Sequence, residues 1–163
     1  MASTKKINRT ILVRKRLQLY LEGDAPFENF LAKDMIITDS ADGKISFEIA
    51  IQEYHLNASK SLHVGMIAAI VDFCGSIVSG SKGVRLTSVS TDLNVSYVAS
   101  ARYGDTILVN AECVKLDKQF AFTTVDIHNK ADGRLIAQGR LTLLVISILN
   151  DPENEFMNET AKL

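Results

Sequence analysis

The most apolar stretch of the chain, LHVGMIAAIVDFCGSIVSG from Leu62 to Gly80, is interrupted by two ionisable side chains. His63 stands near its start and Asp72 near its centre. Burying a carboxylate in such a stretch costs several kcal/mol unless it is hydrogen-bonded or paired, so Asp72 needs an explanation. A helix that begins just after His63 presents free backbone N–H groups, which stabilise developing negative charge. The pattern therefore indicates an oxyanion-binding helix start with a carboxylate further along the same helix.

The spacing between these two features limits how a single chain can use them. The pattern predicts a helix from Val64 to near Ser81, with Gly83 as its C-terminal stop. Val64 and Asp72 then lie roughly 12 Å apart along the helix axis. Asp72 is therefore either a structural carboxylate, bonded to nearby serine or backbone groups, or part of a site that a second chain completes. A two-fold dimer with antiparallel helices would bring Asp72 of one chain near the helix start of the other.

Other polar residues have simpler explanations when the sequence is considered alone. A histidine at a helix start, such as His63, is typically a cap or a packing residue. A serine on an alternating strand, such as Ser90, is typically solvent-facing. His55 and His128 are predicted at the surface, near the ends of elements. Because no pair of histidines has helical metal-ligand spacing, no metal site is predicted.

The elements that must position these residues follow from the hydrophobic pattern. A helical segment is predicted from about residue 8 to residue 33, and two β-rich runs flank the turn signal Asp42-Gly43 as a hairpin. After the apolar helix, alternating residues predict a meander of four strands. The fold class is therefore α+β, an antiparallel sheet with one long helix on its face. We expect a basic helical segment over 1–34, the main domain over 35–149 and a polar tail over 150–163.

Composition narrows the possible functions and locations of the protein. The 163 residues have 47% hydrophobic content and a net charge of −1, which gives no field to attract nucleic acid. The apolar stretch is predicted to be too short and too interrupted to span a membrane. Cys74 and Cys113 lack C-x-x-C spacing and are predicted to be buried, reduced thiols of the core. The first acid-free residues lack a secretory signal and resemble either a mitochondrial presequence or a basic first helix packed on the domain, so we expect a cytoplasmic or mitochondrial protein.

The order of these landmarks resembles a known family. An Asn-x5-His-x-Gly element, an Asp nine residues after the His, and a V-S-x-D-x-N-x-x-Y strand occur together over roughly residues 35–145. This combination resembles the hotdog-fold acyl-CoA thioesterases, in particular the PaaI-like and thioesterase superfamily member 2-like groups. The resemblance implies a sheet wrapped around a central helix, dimers that pair into tetramers, and active sites built by two chains.

The resemblance also implies roles for individual residues. Asn57 and the backbone of Val64 and Gly65 would bind and polarise the thioester carbonyl, with His63 supporting them. From the partner chain, Asp72 would activate or orient water, and Ser90 would help to hold that water. The acyl-CoA is the substrate, so neither a cofactor nor a metal is expected. Its phosphates would favour basic residues near the entrance, and the candidates are Lys82, Arg85, Arg102 and Arg140.

One residue departs from the family pattern and keeps two alternatives open. The family usually has His-Gly-Gly where this chain has His63-Val64-Gly65. If the first glycine serves only through its N–H, Val64 supplies the same donor; if it needs a positive φ, valine is a poor replacement. A non-catalytic acyl-CoA-binding hotdog protein is therefore one alternative. A hotdog enoyl-CoA hydratase or dehydratase is the other, although the separation of His63 and Asp72 argues against a proton-transfer pair on one chain.

Overall fold

A computed structural model describes residues 13–14, 17–18, 21–82, 84 and 88–145. Helix α1 spans Pro26–Ala32 and helix α2 spans Val64–Ser79. Two short 3-10 turns span Glu53–His55 and Gly80–Lys82. The strands are β1 (Met35–Ala41), β2 (Lys44–Ala50), β3 (Val89–Tyr97), β4 (Thr106–Leu116), β5 (Phe120–Asn129) and β6 (Leu135–Leu144).

The six strands form one antiparallel sheet in the order β1-β2-β4-β5-β6-β3, and α2 packs on one face of it. The predicted α+β class and the hairpin at Asp42-Gly43 are confirmed. The predicted four-strand meander is wrong in one respect, because β3 pairs with β6 and forms a sheet edge instead of pairing with β4. Sequence alternation identifies strands but does not specify which distant strand each one pairs with.

Several sequence predictions fall outside the described residues. These are the helical segment before residue 13, the stop at Gly83, the cation Arg85 and the tail from 150 onward. Within the described part, the residues at 13–14, 17–18 and 21–22 are helical, and Val13 and Leu17 are buried against the core. Helix α2 ends at Ser79, slightly earlier than predicted, and a 3-10 turn follows it.

Close contact between helix and sheet depends on two glycines. A Cβ on Gly75 in α2 would lie 2.8 Å from Thr123 Oγ1 and 2.9 Å from Leu141 Cδ2. A Cβ on Gly139 in β6 would lie only 2.3 Å from Val71 Cγ1. Because neither position has room for a side chain, the two glycines set the distance between α2 and the sheet.

Helix α2 is the core helix of the domain. Together with the turn that follows, it covers 19 residues and is long and apolar enough to cross a membrane by length and composition alone. The prediction that the stretch is too short was therefore wrong. However, 61% of the segment is buried inside the protein, as expected for a helix covered by its own sheet.

The buried polar residues include one that the sequence misplaced. Cys74 and Cys113 are free and buried, as predicted. His55, predicted at the surface, is only 1% exposed. It lies in the 3-10 turn after β2, where the rings of Phe30 and Tyr54 pack against it at 6.1 and 4.6 Å between centroids. The sequence does not indicate that α1 packs against this turn, because β1 and β2 separate the two segments along the chain.

Candidate active site

A tight loop carries two of the predicted site residues, Asn57 and His63. The His63 N–H donates to the His55 carbonyl at 2.9 Å, and the Asn57 N–H donates to the Ser61 carbonyl at 2.8 Å. A bridge between Leu56 and Leu62 lies between these bonds, so the loop is a small antiparallel hairpin with His55 at its base. The structure thus brings Asn57 and His63 together on one short element, as the motif spacing implied.

The Asn57 side chain is oriented by the loop itself. Its Oδ1 accepts from the N–H groups of Ser59 at 2.9 Å and Ser61 at 3.1 Å. Lys60 completes the turn with φ of 60°, the left-handed region that non-glycine residues rarely adopt. Because Oδ1 is engaged, the Nδ2 amide hydrogens are the group that Asn57 offers to a ligand.

His63 caps the start of α2 and thereby uses one of the donors predicted for the site. Its Nδ1 accepts the Gly65 N–H at 2.9 Å. The Val64 N–H, at the first helical position, has no partner within a helix. In this arrangement Val64, and not Gly65, presents the available donor for a carbonyl oxygen.

Valine at position 64 is compatible with this role. Among the described residues, Lys60 is the only non-glycine residue with a positive φ, so Val64 has an ordinary helical backbone. The side chain is 51% exposed beside the helix start. The Tyr97 hydroxyl lies 3.4 Å from the Val64 carbonyl oxygen, a long hydrogen bond that places a half-exposed ring next to the first turn. Tyr97 is the final residue of the V-S-x-D-x-N-x-x-Y motif, yet its spacing alone did not indicate a contact with Val64.

Asp72 and Ser90 of the same chain form a hydrogen-bonded pair. The Ser90 hydroxyl donates to Asp72 Oδ1 at 2.6 Å. The register of β3 shifts between Ser90 and Asp92, so that Ser90 pairs with the buried Leu143 and faces α2. Ser90 is exposed, as expected for a serine on an alternating strand, and its hydroxyl nevertheless contacts Asp72 of α2.

The predicted cations for the substrate phosphates are not gathered in one place. Lys82 lies beyond the C-terminal end of α2 and pairs with Asp42 at 3.4 Å. The backbone of Arg102 bonds to Asp105 Oδ2 next to Ala101, whose carbonyl receives the Leu62 N–H at 2.8 Å. Of the described candidates, Arg102 is therefore the one whose neighbour in the chain is hydrogen-bonded to the loop at the helix start. Arg140 is exposed on β6, between Asn94 and Thr124 of the neighbouring strands.

Other chemistry has little support in this part of the molecule. Burial raises the pKa of the Cys74 thiol, and burial also raises that of Cys113, so neither forms a thiolate nucleophile near neutral pH. Across residues 21–82 and 88–145, no three His, Cys, Asp or Glu side chains form a group that could hold a metal ion. The polar groups of the candidate site are backbone donors at the helix start and the Asp72 carboxylate, an arrangement suited to hydrolysis.

Comparison with known proteins identifies the family of this chain. The model of a family described as the thioesterase superfamily matches residues 60–136. Human acyl-coenzyme A thioesterase 13 is 39% identical over 116 residues, which cover 71% of this chain and 82% of the human protein. This chain belongs to the thioesterase superfamily.

Solved structures extend the likeness to the whole hotdog domain. Mouse thioesterase superfamily member 2 superposes with a TM-score of 0.75 and 30% identity, covering 89% of this thioesterase and 99% of the mouse chain. The zebrafish protein of the same name gives a TM-score of 0.73 and 31% identity, covering 82% and 97% of the two chains. The predicted hotdog fold and the enzyme class, a thioester hydrolase, are confirmed.

Proposed function

We propose that this thioesterase hydrolyses acyl-CoA to a free carboxylic acid and CoA at a site shared between two chains. The observation that carries the proposal is the Asp72–Ser90 pair, joined at 2.6 Å and lying along α2 from an N–H donor at the helix start. The substrate class is supported by the human relative, which is named an acyl-coenzyme A thioesterase. No cofactor or metal takes part, because the CoA belongs to the substrate.

The helix start would bind the thioester carbonyl. The Val64 N–H and the Asn57 amide donate to the carbonyl oxygen, where negative charge develops as the tetrahedral intermediate forms. His63 supports this site by capping α2 through the Gly65 N–H, which fixes the direction of the first turn. Arg102 is the described cation best placed for the phosphates of the CoA. Lys82 lies beyond the far end of α2, so it would contact only the phosphates of a CoA bound at the helix start of the neighbouring chain.

Asp72 would act on water. Its carboxylate takes a proton from a water molecule whose oxygen attacks the carbonyl carbon. The intermediate then collapses, the C–S bond breaks, and the proton returns to the leaving thiolate. Ser90 holds one carboxylate oxygen by its hydroxyl and leaves the other to face the water. The products are therefore one carboxylic acid and one thiol for each water consumed.

A second copy of the chain is needed because of distance. Asp72 lies roughly 12 Å along α2 from its own Val64 N–H, too far to reach a carbonyl bound there. Residues four positions apart share one face of α2, and this face is only partly covered by the chain itself. Val64 is exposed there, and the residues that follow it on the same face are only partly buried: Ala68, Asp72 and Ser76. Strand β3 forms the adjacent edge of the sheet, and its Leu93 is 41% exposed. A two-fold dimer that pairs the β3 edges would cover both surfaces and set the two α2 helices antiparallel; such dimers would pair further into a tetramer.

Mixing two defective variants tests the shared site. Asp72→Asn and Asn57→Ala should each abolish thiol release from acyl-CoA. After subunits are exchanged between them, half of the dimers are mixed, and each mixed dimer contains one intact site, so about a quarter of wild-type activity should return. If all catalytic groups came from one chain, no activity would return. Exchange between Asp72→Asn and a tagged Asp72→Asn protein is the matched control and should stay inactive.

A panel of acyl-CoA substrates separates this proposal from the alternatives. Thiol release from any member supports hydrolysis and also gives the acyl preference. Hydration of an enoyl-CoA without thiol release would indicate a hydratase instead. Tight binding of acyl-CoA with neither reaction would indicate a non-catalytic binding protein.

A further inference from the structure

His55 is a buried titratable side chain that the proposed mechanism does not use. Its Nδ1 accepts the Gln52 N–H at 3.1 Å. Its Nε2 lies 3.3 Å from Asp34 Oδ2, outside the alignment of a good hydrogen bond, and contacts no other polar partner among the described residues. Asp34 comes directly before β1, and Gln52 begins the turn that leads to the active-site loop. The imidazole therefore connects the start of the sheet to the segment that carries Asn57 and His63.

The contacts of the ring specify its protonation state. Because Nδ1 accepts a backbone N–H, the neutral ring carries its proton on Nε2, facing the Asp34 carboxylate. A second proton would go on Nδ1, where it would oppose the Gln52 N–H. Burial lowers the pKa of His55, and the nearby Asp34 carboxylate only partly opposes this effect. The neutral imidazole is the form that fits the site.

The groups around His55 hold Asp34 in place. The Tyr54 hydroxyl donates to Asp34 Oδ2 at 2.6 Å, and this bond raises the pKa of Tyr54 to about 12. Lys33 Nζ lies 4.0 Å from the centre of the Tyr54 ring, so the local charged groups are Asp34 and Lys33. The Phe30 ring meets the imidazole edge-on. Residues of α1 and the turn after it thus enclose the ring.

The backbone of His55 connects this cluster to the catalytic groups. Its carbonyl accepts the His63 N–H at 2.9 Å, the bond that closes the loop around Asn57. His63 then caps the helix whose first N–H is proposed to bind the carbonyl oxygen. A movement of His55 would therefore displace both Asn57 and the helix start.

We propose that neutral His55 is a positioning residue for the oxyanion-binding groups. Held between Gln52 and Asp34, it fixes the base of the loop that presents Asn57 and His63, and its protonation releases that loop and lowers turnover. This inference rests on the proposed function, because it assigns His55 a role in placing the carbonyl of the substrate. It also predicts that α1 and Asp34 contribute to activity although they lie outside the site.

Two substitutions of His55 separate its two contacts. His55→Gln retains a donor that can reach Asp34 but loses the Nδ1 acceptor, whereas His55→Asn retains an acceptor for Gln52 and cannot reach Asp34. His55→Gln should lower kcat by about 10²-fold with little change in KM, since misplacing oxyanion donors weakens the transition state more than substrate binding. His55→Asn should recover part of that loss. His128→Gln, on β5, is the matched control and should have wild-type kcat.

The pH profile gives a readout that a purely structural role would not move. In the wild-type protein, part of the fall in kcat at acidic pH should follow the protonation of His55. This part should be absent from both His55 variants and present in His128→Gln. Wild-type turnover in His55→Gln, or an unchanged acidic fall in both His55 variants, would overturn the proposal.

NMR of the wild-type protein with ¹⁵N-labelled histidine tests the same idea without an activity assay. We expect the Nε2–H tautomer of His55 near neutral pH, and amide shifts of Asn57 and Val64 that follow its titration. An Nδ1–H tautomer, or titration of His55 without movement of those amides, contradicts the positioning role. If instead the ring behaves as expected but no acyl-CoA is hydrolysed, the proposed function fails and the link between His55 and the loop stands.

Discussion

Val64 stands where the family resemblance leads us to expect glycine, and the role proposed for Val64 depends on its backbone N–H. Proline is tolerated at the first position of a helix, where the missing N–H has no helical partner. His63 before it has φ of −64° and ψ of 130°, an extended conformation that a following proline accepts. Val64→Pro should therefore remove the proposed oxyanion donor while leaving α2 intact. We expect kcat to fall by about 10²-fold.

Val64→Ala is the control for that substitution, because it shortens the side chain and retains the N–H. Its kcat on straight-chain acyl-CoA should stay within a few-fold of wild type. Circular dichroism would verify that both variants retain the helix. Equal kcat in Val64→Pro and Val64→Ala would show that this N–H does not bind the carbonyl oxygen.

The lowered pKa of His55 has a separate consequence for stability. Burial places the folded-state pKa below the ordinary value near 6.5, so between the two values the unfolded chain binds more protons than the folded one. The free energy of unfolding should therefore decrease as the pH falls from about 6.5 toward the folded-state pKa, and no further from this cause below it. Urea unfolding at a series of pH values measures this slope. His55→Gln should lack it, and a wild-type stability that rises with acid over that range would contradict the burial effect.

At the residue scale, Asp72 could be selected from the sequence because a carboxylate within an apolar helix needs an explanation. Asn57 and His63 were selected through the family resemblance, and their roles remain predictions. The burial of His55 could not be predicted, since it depends on α1 folding over a turn that is distant in sequence. The contact between Ser90 and Asp72 could not be predicted from strand alternation, because it depends on how β3 packs against α2.

Among the elements, α2 and β6 are in contact where Gly139 faces Val71. Gly139→Ala would place a Cβ 2.3 Å from Val71 Cγ1, so the helix must shift or Val71 must leave its rotamer. We expect the free energy of unfolding to fall by about 1–3 kcal/mol. Urea denaturation of Gly139→Ala, Val71→Ala and the double variant forms a mutant cycle.

The loss in free energy of unfolding should be smaller in the double variant than the sum of the losses in the two single variants. The reason is that the smaller side chain at position 71 makes room for the added methyl group at position 139. Strict additivity would mean that the two positions do not press against each other. Gly75 offers a second position of the same kind, beneath Thr123 and Leu141.

Helices and strands could be predicted where neighbouring residues in the sequence determine them. The Asp42-Gly43 hairpin and the long apolar helix follow from turn chemistry and apolar length. The position of β3 beside β6 could not be predicted in this way, because neither strand has a local sequence feature that specifies its distant partner. The proposed shared site depends on that placement, since it puts β3 at the edge next to the partly buried residues of α2.

For the molecule as a whole, β3 is one of the two edge strands of the sheet and the edge at which we propose that a second copy binds. Leu93→Asp would put a charge on the face shared with α2, where burial by a second copy would cost several kcal/mol. We expect this variant to sediment as a monomer and to have lost thiol release.

Asn94→Asp, one residue along the strand, is the matched control. Asn94 pairs with the exposed Arg140 on the opposite face of the sheet, so its replacement should not alter the oligomeric state. A dimeric Leu93→Asp protein would place the interface elsewhere, and a monomer with full activity would contradict the shared site.

If a second copy completes the site at the β3 edge, as proposed, catalysis also depends on how much of the protein is present. A site completed by a second copy exists only in the associated fraction, and mass action reduces that fraction on dilution. Specific activity should therefore fall once the enzyme concentration drops below the dissociation constant of the dimer, and a bound substrate that bridges both copies should oppose the fall. The cell could thus regulate this thioesterase by its abundance alone, with turnover rising more steeply than the amount of chain.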